Sequence, residues 1–150
     1  ERNKSKYTKD SKNEQALFLT LEGLRFVGYA DRIDFHADGI EIIDYKTGSH
    51  IPSARERDWQ LGFYALAAQR LGYVKKVTLD IFKNEKPLEY ELDEQGVARD
   101  SRSNRVAFSL PEVRKELIAT ARSILEGYQQ GFKACAPEKN CEFCVKLEKT

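Results

Sequence analysis

Residues Arg25 to Lys46 read RFVGYADRIDFHADGIEIIDYK, and a β-hairpin is the one local structure that accommodates them. Two runs rich in β-branched and aromatic residues flank Asp38-Gly39, a dipeptide suited to the positive φ angles of a two-residue hairpin turn. With Asp38 and Gly39 at the centre of a type I′ turn, Ala37 opposes Ile40 and Asp31 opposes Lys46. Side chains alternate along a strand and opposed residues share a face. Asp31, Ile33 and Phe35 therefore accompany Ile40, Ile42, Asp44 and Lys46, while Arg32, Asp34, His36, Glu41, Ile43 and Tyr45 occupy the other side. The first face is apolar near the turn and charged at its far end.

The remaining sequence supplies further strands and two helices. Ala16 to Thr20, Lys75 to Phe82 and Leu88 to Leu92 read as strands. Ser53 and Glu56 form a capping box for a helix from Ala54 to Leu71, stopped by Gly72. Ser109, Pro111 and Glu112 open a second helix that ends at Gly131, with Val113, Leu117, Ile118, Ala121, Ile124, Leu125 and Tyr128 as its apolar stripe. Asp93 to Asn104 reads as a polar loop. The expected fold is α/β, a mixed central sheet flanked by helices.

A length of 150 residues with 41% hydrophobic content suits one domain with a real core. Residues 1–15 are polar and lysine-rich and read as a mobile lead-in, leaving 16–150 as the domain. No methionine occurs, even at position 1, so the chain reads as part of a longer polypeptide. The start does not resemble a signal peptide, and no apolar run is long enough to span a bilayer, which indicates a cytoplasmic protein. The balance of 25 basic and 24 acidic residues leaves a net charge of +1, so any nucleic-acid surface must be local.

At the charged end of the hairpin, two neighbouring carboxylates would repel one another unless a cation lay between them. A hard divalent ion such as Mg²⁺ takes one or two carboxylates together with water and phosphate oxygens. Lys46 would then face a scissile phosphate, where it could orient or deprotonate water or neutralise developing charge. A cross-strand ion pair between Asp31 and Lys46, with Asp44 solvated, accounts for the same spacing. On the following helix Gln60 and Tyr64 stand four residues apart, on one helical face.

Taken together, GYADRID, IIDYKTG and Gln60 with Tyr64 resemble the RecB-type branch of the PD-(D/E)XK nuclease superfamily, which has a restriction-endonuclease-like core. The likeness is clearest from Leu24 to Leu71. It implies a Mg²⁺- or Mn²⁺-dependent nuclease acting on DNA, partnered by a helicase domain or subunit in DNA repair or recombination. Asp31, Asp44 and the backbone carbonyl of Tyr45 would be metal ligands, and Lys46 the catalytic lysine, with Gln60 and Tyr64 lining the site. Asp34 reads as structural, paired with Arg32. Trp59 and Tyr29 read as packing residues rather than base-stacking platforms. A non-catalytic DNA-binding or docking module that keeps the nuclease fold is the alternative.

Two departures from the family pattern stand out. Members usually carry an upstream helix with a His or Glu ligand, and nothing before Ala16 resembles it. Iron–sulfur members carry an upstream cysteine, a Cys-x-x-Cys pair and a further cysteine six positions on. Here Cys141 and Cys144 fit the pair, but Thr150 stands at the later position. Cys135, Cys141 and Cys144 supply three ligands, so a cluster or zinc site would need one from outside the chain, and none is expected in this chain alone. Thr47, Lys75, Lys76, Arg99, Arg102 and Arg105 are candidate DNA contacts, although a solvated polar face also explains the basic residues.

Overall fold

The computed structural model of the protein describes residues 11–48, 52–82, 84 and 86–131. Seven strands run in sequence order across one sheet: β1 (Ser11–Leu21), β2 (Leu24–His36), β3 (Gly39–Lys46), β4 (Val74–Ile81), β5 (Leu88–Leu92), β6 (Val97–Asp100) and β7 (Val106–Ser109). Neighbours are antiparallel except β3 and β4, which are parallel and therefore require a long crossover. That crossover contains α1 (Ala54–Ala68), followed by a 3₁₀ turn at Gln69–Leu71. The expected mixed α/β sheet is thus present.

The strand expected from Ala16 begins at Ser11, so residues 11–15 of the expected lead-in belong to the sheet. β6 and β7 lie where a polar loop or no strand was expected. Only Ala98 and Phe108 are buried in them, too few apolar residues to create a visible alternation.

The β2–β3 hairpin forms in a register different from the expected one. His36 opposes Gly39 and Ile33 opposes Ile42, placing Ala37 and Asp38 at the turn. Gly39 has a φ of +142°, and a Cβ there would sit 2.8 Å from the carbonyl oxygen of Tyr73. The glycine serves this close passage, which lets the Ile40 N–H reach Tyr73 O at 2.7 Å. Asp31 loses its place opposite Lys46, and continuation of the register puts it opposite Asp44. A slip of two residues, unlike one, preserves the faces.

The buried set contains Ile33, Ile42, Val77 and Leu79 of the sheet with Leu61, Ala65 and Ala68 of α1. The Ser53–Glu56 capping box is formed in full. At Gly62, α1 approaches α2 (Leu110–Gln130) so closely that a Cβ would meet Val113 Cγ2 at 2.6 Å. Before α2, the Ser109 hydroxyl donates to the Glu112 carboxylate at 2.9 Å. The chain divides into two compact units after Ile118: the first contains the sheet, α1 and the opening turns of α2. In the second, Ile124, Leu125 and Tyr128 of the expected stripe are exposed.

A further irregularity positions the charged end of the hairpin. Gly28 faces α1, where a Cβ would lie 2.3 Å from Phe63 Cε1, yet Ile33, of opposite parity, shares its face with the α1-facing Asp44. β2 therefore changes the side chains it turns toward the helix between these positions. Opposite Asp31, Glu14 adopts a φ of +49° and drops out of the β1–β2 ladder. The register is the same on either side, Asn13 opposite Arg32 and Gln15 opposite Ala30, so the ladder is interrupted at Asp31 without an inserted residue.

Candidate active site

Asp44 and Lys46 leave the carboxyl end of β3 on the face covered by α1. Asp44 is buried, with one carboxylate oxygen, Oδ1, accepting from Gln60 Nε2 at 3.3 Å. The other, Oδ2, is ion-paired with Lys46 Nζ at 2.9 Å. The same Gln60 Nε2 donates to Tyr64 Oη at 3.0 Å. Asp31 approaches from β2, its Oδ2 accepting the Tyr45 backbone N–H at 2.7 Å.

Electrostatics bind these residues into one group. Burial pushes the Asp44 carboxyl above the usual carboxylate range; Lys46 opposes the shift and the nearby Asp31 charge adds to it. Burial also raises the Tyr64 phenol, with Asp44 and Asp31 contributing in the same direction. Tyr64 thus remains protonated near neutral pH and able to donate. Two neighbouring carboxylates, one of them buried, offer an all-oxygen donor set of the kind that suits a hard divalent cation.

Tyr45 joins the two faces. Its N–H serves Asp31, while its hydroxyl accepts from Arg32 Nη1 at 3.3 Å on the opposite side. Arg32 is itself buried and donates to Asp34 through Nε at 2.7 Å and through Nη2. Burial acts to lower the Arg32 pKa, but the hydrogen bonds to Asp34 and Tyr45 outweigh it and hold the guanidinium charged.

The same side contains a second possible metal-binding group, Asp34, His36 and Glu41, whose ligand atoms lie within 4.8 Å of one another. Both carboxylates already have cations: Arg32 engages Asp34, and Lys76 approaches Glu41 at 3.0 Å. The Asp31–Asp44 group carries one lysine for two acids.

The expected DNA contacts are dispersed. Lys75 pairs with Asp38 at 2.6 Å, and Lys76 bridges Glu41 and Glu89. Arg102 donates to the Pro87 carbonyl, while Arg99 and Arg105 are exposed around β6 and β7. Thr47 is exposed just beyond Lys46. Cys135, Cys141 and Cys144 lie outside the described residues. Sequence reasoning left Glu116 without a role, but it accepts the Trp59 indole N–H at 2.6 Å, a contact that no local pattern signals.

The family model of the PD-(D/E)XK nuclease superfamily matches residues 3–145. The chain belongs to this superfamily. A search among curated proteins gives no match. PD-(D/E)XK members are generally nucleases and use divalent metals. Among the described residues, no helix is long and apolar enough to cross a membrane.

The buried carboxyl at Asp44 has a consequence for stability. Its folded pKa is raised, so its contribution is greatest below the unfolded pKa and is lost as pH rises through the folded value. Without divalent ions, Asp44→Asn should melt a few degrees above wild type at neutral pH, roughly 2–4 °C for each ~1 kcal/mol recovered. The advantage should disappear at acid pH. Melting curves in chelator across that range check it, and a lower-melting Asn variant at neutral pH would refute it.

Proposed function

We propose that this chain is a metal-dependent deoxyribonuclease of the RecB type, the nuclease part of a cytoplasmic helicase–nuclease acting in DNA repair or recombination. The observation that carries this reading is the gathering of Asp31, Asp44 and Lys46 on one face of a hairpin, with Gln60 bonded to Asp44 from α1. Asp31, Asp44 and the Tyr45 carbonyl would hold Mg²⁺ or Mn²⁺. The ion, when bound, supplies Lewis-acid stabilisation of charge on phosphoryl oxygens.

The protein's own groups orient the reaction. Gln60 fixes Asp44 Oδ1 and uses the same amide to hold Tyr64, so α1 sets the carboxylate's angle. Tyr45 N–H does the same for Asp31. Lys46, partly exposed beside Asp44, orients the attacking water and balances charge as its oxygen bonds to phosphorus. The P–O3′ bond breaks, the leaving oxygen gains a proton, and the products carry a 5′-phosphate and a 3′-hydroxyl.

The direct test incubates the purified chain with end-labelled single-stranded DNA and Mg²⁺ or Mn²⁺. Shortened products should appear with 5′-phosphate ends and cease on chelation. DNA binding without cleavage under either metal would favour the non-catalytic module instead.

A further inference from the structure

Beside the acidic group lies an open groove of about 480 Å³, lined chiefly by Phe26, Trp59 and Phe63, with Gln60, Tyr64 and Arg25 among its other residues. Three features suit it to a flat aromatic ligand. Gly28 lets the Phe63 ring rest against β2, where any Cβ would collide with it. The indole of Trp59 is fixed by its 2.6 Å bond to Glu116. Gln60 spends only Nε2 on Asp44 and Tyr64, and its carbonyl oxygen has no partner among the described residues. A planar ring could thus stack against aromatic faces while a polar edge meets that carbonyl.

The groove is continuous with the acidic group, because Gln60 and Tyr64 border both, and Arg25 contributes an exposed cation for a neighbouring phosphate. We propose that it holds an unpaired nucleobase of the DNA strand whose phosphodiester lies at the Asp31–Asp44 group. The inference rests on the nuclease reading and adds a base-binding subsite to it. A base locked in a duplex keeps its Watson–Crick edge paired and its faces stacked, so it cannot enter; a single strand or frayed end can. Trp59, which packs against the core as the sequence suggests, would take on stacking as a second role.

Trp59 is the chain's one tryptophan, so its fluorescence reports on the groove without relying on catalysis. Oligothymidylate added in chelator should quench it saturably, whereas a blunt duplex should not. Moving one abasic site along the oligonucleotide should abolish the quench at a single position and, with metal present, raise KM at that position. Phe63→Leu, which keeps apolar bulk without the ring face, should weaken binding about tenfold and raise KM with little change in kcat. Metal-dependent cleavage with an unchanged Trp59 signal, a flat abasic scan and wild-type KM in Phe63→Leu would overturn the inference alone, leaving the groove to an apolar protein segment. A chain that neither binds nor cuts any oligonucleotide would overturn the nuclease reading, and this inference with it.

Discussion

Lys46→Ala should slow metal-dependent DNA cleavage by about a hundred- to a thousandfold, the range lost when a single charge-stabilising group is removed from an active site. Asp44→Ala should reduce it below detection, because it removes a carboxylate from the proposed metal-binding set. The two variants should differ in a second respect. Lys46 is partly exposed and pairs only with Asp44 among the described contacts, so its loss should leave both fold and metal binding intact. Asp44→Ala should instead weaken Mn²⁺ binding, measured by calorimetry, while the fold persists. Single-turnover cleavage with circular dichroism on the same preparations separates these effects. Cleavage at the wild-type rate by either folded variant would remove the centre of the proposed mechanism.

The shared face of Ile33, Ile42, Asp44 and Lys46 was legible in the sequence because it depends on parity, and parity survived the two-residue slip of the hairpin. The exact partner of Asp31 depends on register. That was set by a remote element: Gly39 was claimed by the carbonyl of Tyr73, a residue more than thirty positions away. The first capping box was equally legible, since all its bonds close within four residues. At the second helix, the similar Ser109–Glu112 pair bonds side chain to side chain as Ser109 completes β7, showing how a neighbouring strand can redirect a local motif. β6 and β7 were missed because their burial is almost confined to one residue each. The turn of Asp31 toward the site was also hidden, because it accompanies a positive φ at Glu14, where no glycine marks the irregularity.

The other large effect should arise behind the active site. Arg32 is 1% exposed and the largest of the fully buried side chains, and Asp34 beside it is buried as well. Arg32→Met would leave Asp34 with the Ser11 hydroxyl at 2.6 Å but without its paired cation. Breaking one half of a buried pair typically costs about 3–5 kcal/mol because the surviving charge is uncompensated. A domain whose total stability is about 5–15 kcal/mol would lose a large part of it, and melting should fall on the order of 10 °C. The double variant Arg32→Met/Asp34→Leu should recover much of that loss, since it removes the stranded charge as well. Thermal melts of both variants, followed by circular dichroism, distinguish a charge penalty from simple loss of packing. If Arg32→Met melts with wild type, the buried pair does not hold this face together; if only the double variant fails to recover, the cost lies in the shape of Arg32. Recovery of stability should not restore the Arg32–Tyr45 bond, so the double variant also tests whether anchoring the Tyr45 ring matters to cleavage at temperatures where the protein is fully folded.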